Sequence, residues 1–154
     1  MTTTVAKYLL APREREVVEG LADGNTLSVV AHTLGITENT AGSYLKLAKK
    51  KLHGVRENAA AVAVGYATRA IGRPKLLVPD ALCLLCEEAE LVPLIARGLG
   101  PQEMAGKLQR PLNIVRRDGR GLFVSLGARN RPHAMKRAWQ FQLLTEQQVI
   151  AWLR

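Results

Sequence analysis

Two segments of the chain concentrate positive charge, the property that a protein needs to hold a polyanion. The 154 residues carry 22 Lys and Arg against 13 Asp and Glu, a formal net charge of +9. Residues 39–56 contain five basic side chains and no acidic one, and residues 107–137 contain nine against Asp118. The summed net charge of these two segments is more positive than that of the whole chain. The remaining residues are therefore mildly acidic on balance. Charge gathered in this way is typical of proteins that bind nucleic acid.

Other groups that could do chemistry lack the partners that their chemistry requires. Cys83 and Cys86 have the spacing of a metal or redox pair, but zinc takes four ligands and no second Cys or His pair accompanies them. Their apolar neighbours favour buried thiols, whereas an accessible, acidic thiol would indicate a redox enzyme. His32, His53 and His133 stand alone and are expected to be surface or packing residues. Without a glycine loop for phosphate or paired carboxylates, the sequence predicts no enzyme, metal or cofactor.

The lack of long apolar runs and the small number of cysteines favour a cytoplasmic location for the protein. No apolar run approaches the roughly 18 residues of a membrane-spanning helix, and the first residues lack a basic-then-apolar signal. Two cysteines cannot build a disulfide framework, so a reducing environment is expected. We therefore expect a cytoplasmic protein that does not contact a membrane.

The chain repeats itself with an offset of 74 residues and without a gap. This offset places Glu14 on Glu88 and Gly24 on Gly98. Apolar residues also meet apolar residues: Val17 and Leu91, Leu21 and Ile95, Ala31 and Ala105, Leu34 and Leu108, Leu52 and Leu126, Ala60 and Ala134. We therefore predict a first unit over residues 5–72, a linker over 73–80, a second, divergent unit over 81–142 and a C-terminal helix over 143–154.

Each unit is predicted to be all-α and tetrahelical, because Ala and Leu together make 43 residues and aromatic residues only 5%. Pro93 should kink or split the first helix of the second unit, and Thr145 with Gln148 should cap the last helix. The four helices expected in the first unit run from Pro12 to about Asp23, from Thr26 to Leu34 with a stop at Gly35, from Thr37 to about Leu52, and from Asn58 to Ile71. In the second unit, the second helix is expected to begin at Gly100-Pro101 and the third after Pro111.

The motifs of the first unit resemble a known family. They are Arg13-Glu14-Arg15-Glu16-Val17, Leu21-Ala22-x-Gly24, Ala31-x-x-Leu34-Gly35-Ile36-Thr37-x-x-Thr40 and Lys51-Leu52. This pattern is similar to the LuxR-type (GerE-type) helix-turn-helix DNA-binding domain of bacteria. The second unit resembles a divergent copy through Ala96-x-Gly98, Val115-Arg116-Arg117 and Leu126-Gly127-Ala128-Arg129-Asn130-Arg131. The resemblance implies that the third helix of a unit enters the major groove.

Helical spacing separates the proposed third helices into an inner and an outer face. Ala41, Leu45, Ala48 and Leu52 are expected inside in the first unit, and Val115, Leu122 and Leu126 in the second. By resemblance, Thr40 and Lys51 match phosphate-contacting positions of the family, and Ala41, Gly42 and Tyr44 match positions at the groove. The candidate DNA-binding residues are Asn39, Thr40, Gly42, Ser43, Tyr44, Lys46, Lys50, Lys51, Asn113, Arg116, Arg117 and Arg120.

Some residues of the second unit oppose this interpretation. Gly119 and Gly121 lie inside the proposed recognition helix, where each costs about 1 kcal/mol relative to Ala. Asp118 would repel phosphate unless it pairs with the neighbouring arginines or reads cytosine. The second unit could therefore bind DNA weakly or serve mainly for packing.

The fourth helix of the first unit is apolar on nearly every side, so a single unit cannot cover it. We expect it to pack on Ala134, Met135, Ala138 and Trp139 of the second unit, giving a monomeric pseudo-dimer, or on a second copy, giving a homodimer. Trp139 and Trp152 are expected to be core or interface anchors. The sequence predicts a nucleoid-associated transcriptional regulator that binds double-stranded DNA sequence-specifically; the alternative is a module that binds RNA polymerase or a sigma factor.

Overall fold

The computed structural model describes residues 10–153, so residues 5–9 of the predicted first unit and the last residue of the predicted final helix lie outside it. Within this range the chain forms α-helices, one 3-10 turn at Pro79–Ala81 and no β-strand, which confirms the all-α class. The helices are α1 (Pro12–Ala22), α2 (Leu27–Leu34), α3 (Glu38–Lys51), α4 (Asn58–Ala67), α5 (Cys86–Ala89), α6 (Leu91–Ala96), α7 (Pro101–Leu108), α8 (Leu112–Leu126), α9 (Arg131–Gln140) and α10 (Glu146–Trp152).

Capping residues begin helices α2 and α3 where the sequence predicted them. The hydroxyl of Thr26 accepts a hydrogen bond from the N–H of Val29, and that of Thr37 accepts one from Thr40. Gly35 takes the left-handed conformation (φ 70°) that ends α2. These local interactions hold the turn between α2 and α3, and therefore the angle at which α3 leaves the unit.

Two helix boundaries depend on backbone hydrogen bonding. The first helix of the second unit is split into α5 and α6 around Glu90, as predicted, because Pro93 has no N–H to donate to the carbonyl of Ala89. The prediction that α4 continues to Ile71 is wrong. The helix ends at Ala67 since Arg69 adopts a positive φ of 62° and the N–H of Ala70 returns to the carbonyl of Gly65 at 2.9 Å.

Positions 74 residues apart adopt matching local structure. Glu14 and Glu88 are both buried, and each accepts a hydrogen bond from the backbone N–H three residues earlier, at 3.0 and 3.2 Å. Ala11 and Leu85 lack the hydroxyl of a Ser or Thr cap, so each helix keeps only the glutamate half of a capping box. Positive φ angles also recur in three pairs: Gly24 and Gly98, Gly35 and Gln109, His53 and Gly127.

The apolar helix α4 is buried along its whole length by other helices of the same chain. It packs more extensively against α9 than any other helix pair does, and α1, α6 and α10 cover its remaining sides. The rings of Tyr66 and Trp139 lie 5.5 Å apart across this contact, which we call the seam. At its edge, Lys136 forms an ion pair with Asp23, and the side-chain amide of Asn130 donates to the carbonyl of Gly24 at 3.0 Å.

The structure covers α4 within a single chain, by one of the two packings expected for this helix. A helix that is apolar on every side is stable in water only when it is covered on every side. Here the second half of the chain provides that cover through Ala134, Met135, Ala138 and Trp139, all of which are buried.

Candidate nucleic-acid interface

The outer face of α3 carries the polar residues that the sequence placed there. Asn39, Ser43, Lys46 and Lys50 are exposed, while the inner residues Ala41, Leu45, Ala48 and Leu52 are all buried. Helices α1 and α2 pack against the inner side and hold α3 in place. Within residues 10–153, neither Lys46 nor Lys50 forms an ion pair, so both ammonium groups are available to an anion.

The other candidates of the first unit are less open. The hydroxyl of Thr40 is exposed but lies 2.8 Å from that of Thr37 at the start of α3. Gly42 and Tyr44 are half-buried. A Cβ built on Gly42 would meet Leu27 at an ordinary 3.8 Å, so packing does not require a glycine there. The structure thus brings these residues to one side of α3 with different degrees of access.

Lys51 is engaged within the fold. Its ammonium lies 2.8 Å from Oε1 of Glu14, a carboxylate that is only 5% exposed. The same oxygen accepts the N–H of Ala11, so one buried carboxylate joins the start of α1 to the end of α3. Lys51 nevertheless remains half-exposed, and its role toward phosphate stays a prediction by resemblance.

Helix α8, in the predicted second unit, also presents basic residues on one face. Asn113, Arg116, Arg117 and Arg120 are exposed, and Val115, Leu122 and Leu126 are buried beneath them. In the described part of the chain Arg116 and Arg120, one helical turn apart, form no ion pair. A guanidinium at such a position can bind a guanine edge or a phosphate with two hydrogen bonds.

Asp118 points away from this face and into the unit. It is 4% exposed and pairs with Arg117 at 3.3 Å and Arg110 at 3.8 Å. Its negative charge is therefore held beneath the arginines, which resolves the repulsion that the sequence raised. One carboxylate oxygen, Oδ2, has no hydrogen-bond partner within residues 10–153.

The two glycines of α8 have different surroundings. A Cβ on Gly119 would meet nothing within 4 Å. At Gly121 a Cβ would lie 2.1 Å from Oε2 of Glu88, the buried carboxylate at the start of α5. Gly121 thus allows α5 to approach α8 closely, and its cost to the helix has a packing reason.

The expectation that Cys83 and Cys86 are buried core thiols is wrong. Both cysteines are exposed, because the segment before α5 runs along the surface while Leu82 and Leu84 turn inward. Within residues 10–153 no cluster of three or more His, Cys, Asp or Glu side chains could hold a metal ion.

The histidines and tryptophans serve mainly in packing or lie at the surface. His32 and His53 are exposed. His133 is half-buried; its Nδ1 accepts the N–H of Arg129, and burial, followed by the charge of Arg129, lowers its pKa. Trp139 is buried, with Arg73 5.0 Å above its ring, as expected of an anchor. Trp152 is half-buried on the core beneath Arg97.

Sequence reasoning missed two kinds of residue at these surfaces. Leu47 on α3 and Val124 on α8 are exposed by 47% and 82%, although each lies on a helix with a buried face. Their positions beside Lys46 and one turn beyond Arg120 could have been found from helical spacing. Lys49 was also omitted. It lies at the edge of the inner face and lines a pocket at the seam, which only the arrangement of the helices reveals.

Comparison with known families bears on the first unit. Residues 8–64 match the family described as "Bacterial regulatory proteins, luxR family". This segment is therefore similar to a LuxR-type helix-turn-helix domain. No curated protein and no solved structure gives a significant match to the chain. The matched residues cover α1, α2, α3 and most of α4. In the described range no helix is long and apolar enough to cross a membrane.

Proposed function

We propose that this protein binds double-stranded DNA sequence-specifically and regulates transcription, using two helix-turn-helix units within one chain. The observation that carries the proposal is the exposed outer face of α3, where Lys46 and Lys50 form no ion pair with any residue of the described range 10–153. The proposed assignment includes residues 5–72 as the first unit, 73–80 as the linker, 81–142 as the second unit and 143–154 as the final helix. Such a protein would work in the cytoplasm, at the nucleoid.

Support for a second unit comes from the 74-residue offset. The buried glutamates Glu14 and Glu88 cap the first helices in the same way. The positive φ of Gly24 and Gly98 follows at the same distance, at 90° and 88°. Helices α3 and α8 each bury one face and expose a basic one. We take α8 as a second recognition helix on these grounds.

The two faces would make different contacts. Lys46, Lys50 and the hydroxyl of Thr40 suit phosphate oxygens, while Asn39 and Ser43 suit base edges. On α8, Arg116 and Arg120 can bind guanine through two hydrogen bonds, which lysine cannot do. The guanidinium of Arg117 forms an ion pair with Asp118 and suits a contact with the DNA backbone. The first unit would then supply more of the electrostatic attraction and the second more of the sequence preference.

The seam would make the chain a pseudo-dimer. Since α4 and α9 pack face to face, the two recognition helices are held at a fixed distance without a second copy. By analogy with symmetric helix-turn-helix dimers, two half-sites about 10 base pairs apart are expected. Because the two faces differ, the half-sites need not be related in sequence.

Selection of binding sites from random duplex DNA by the intact protein tests this function. We expect an enriched site with two half-sites of constant spacing, and a monomer in both free and bound states by sedimentation. Lys46→Ala with Arg120→Ala should abolish enrichment, while Lys75→Ala, which removes an exposed linker charge, should not. Absence of binding to any duplex at low salt, with capture of RNA polymerase or a sigma factor, would replace the proposal by the alternative function.

A further inference from the structure

A pocket at the seam gathers positive charge that the proposed DNA-binding faces do not use. Its volume is about 360 Å³, and it lies where α3 ends and where α4 and α9 begin. Eight residues line it: Lys49, Arg56, Glu57, Asn58, Ala59, Asn130, Arg131 and Pro132. Three of these are cations from three different segments, and Glu57 is the acid among them.

The cations of this seam pocket lack full counter-charges. Within residues 10–153, the side chains of Lys49 and Arg56 form no hydrogen bond or ion pair. Arg131 donates to the carbonyl of Leu99, a neutral acceptor. Burial lowers the pKa of both Lys49 and Arg131; Glu57 opposes this shift at both residues, and Glu103 also opposes it at Arg131. Partial burial of Lys49 and Arg131 disfavours their charged forms, and a bound anion would offset that cost.

The starts of α4 and α9 differ in a way that also favours an anion. At α9 the side chain of Asn130 accepts the N–H of His133 and so caps the helix. At α4 the corresponding residue, Glu57, makes no side-chain hydrogen bond to the first turn. The N–H groups of Asn58 and Ala59 therefore start a helix beside three cations with no side-chain cap. An oxyanion could accept these donors and pair with Arg56 and Lys49 together.

We propose that the seam pocket binds a phosphate group, either of a DNA backbone that crosses the seam or of a free phosphorylated ligand. Both sources offer the same tetrahedral oxyanion, which suits guanidinium, ammonium and backbone N–H donors. The site is distinct from the outer faces of α3 and α8, and its occupancy by free phosphate does not depend on whether those faces bind DNA.

Titration of the intact protein with inorganic phosphate, against sodium chloride at matched ionic strength, tests the site. We expect saturable shifts of the Asn58 and Ala59 amide resonances in phosphate alone. Arg56→Gln or Lys49→Gln should weaken binding about tenfold or more, since each removes a charge-assisted contact. Arg56→Lys should restore part of it. Lys75→Gln removes the same charge from the linker and should leave the dissociation constant unchanged.

A second experiment, the salt dependence of duplex DNA binding, identifies the source of the phosphate. If a DNA backbone occupies the pocket, Arg56→Gln should lower the salt slope of duplex binding by about one, and Lys75→Gln should not. If the slope stays unchanged while free phosphate saturates the amide shifts, the occupant is a soluble phosphorylated ligand. An absence of both the phosphate-specific shifts and the change in slope, in variants that unfold at the wild-type temperature, overturns the proposal.

Discussion

The ammonium of Lys51 lies 2.8 Å from the carboxylate of Glu14, across 37 residues of sequence. Glu14 also accepts the N–H of Ala11, so this pair connects the first turn of α1 to the last turn of α3. The contact gives Lys51 a structural role beside the phosphate contact that its family position implies. Because Glu14 is buried, removal of its partner leaves a carboxylate with less compensation.

Lys51→Ala is expected to lower the free energy of unfolding by about 1 kcal/mol, a modest value since the lysine is half-exposed. Urea unfolding measures this, and a double-mutant cycle with Glu14→Gln isolates the pair. If Lys51 also contacts phosphate, the salt slope of DNA binding should fall by about one. Lys46→Ala is the matched variant: it should reduce the salt slope without a loss of stability. An unchanged slope in Lys51→Ala would leave only the structural role.

Arg120→Ala is expected to relax sequence preference by about 1–3 kcal/mol at one G·C pair, because the exposed guanidinium has no competing ion pair among the residues that the structure describes. Arg120→Lys should keep affinity for random duplex while losing much of that preference. Binding to a panel of single-base variants of the selected site measures both effects. A uniform loss across the panel would assign Arg120 to the backbone instead.

Alanine substitutions at the two glycines of α8 are expected to have different effects on the free energy of unfolding. Gly119→Ala should raise the free energy of unfolding by up to about 1 kcal/mol, because a Cβ there meets nothing within 4 Å and alanine favours the helix. Gly121→Ala should lose that gain or reverse it. Its Cβ would displace the carboxylate of Glu88 and break the hydrogen bond from the N–H of Leu85. Equal stability of the two variants in urea would contradict this packing.

Trp139→Ala is expected to destabilise the chain by about 3–5 kcal/mol, since the indole is buried at the seam against Tyr66. If the seam couples the two halves of the chain, the unfolding transitions of both halves should shift together. Trp152→Ala removes a half-buried indole and should cost clearly less. Separate transitions for the two halves in the wild-type protein would argue against the coupling.

His133 should make stability depend on pH. Burial, then Arg129, Arg137 and Lys136, lower its pKa in the folded state, and Asp23 opposes them. The unfolded chain, with a pKa near 6.5, then binds a proton more readily than the folded one. Stability is therefore full above about pH 6.5 and falls as the pH drops below it. Urea unfolding of the wild type and of His133→Gln should show that the variant loses this component.

The sequence by itself determined the helices and their faces, because these depend on neighbours within a few residues. Thr26, Gly35 and Thr37 act through local hydrogen bonds and backbone angles, so α2 and α3 could be predicted closely. The inner residues Ala41 and Leu45 followed from helical spacing. The LuxR-type motif lies in the same continuous stretch, which is why the family of the first unit could also be recognised from residue types alone.

Only the tertiary structure decided which charges remain available. Lys51 and Asp118 lie in the basic segments, but Lys51 pairs with the buried Glu14 of another helix, and Asp118 pairs with its neighbour Arg117 and with Arg110 before α8. Cys83 and Cys86 lie among apolar residues yet face solvent, because burial depends on what packs over a segment rather than on its composition. The cover of α4 by α9 and the pocket beside it required residues about 70 positions apart to meet, and no local pattern specifies such a meeting.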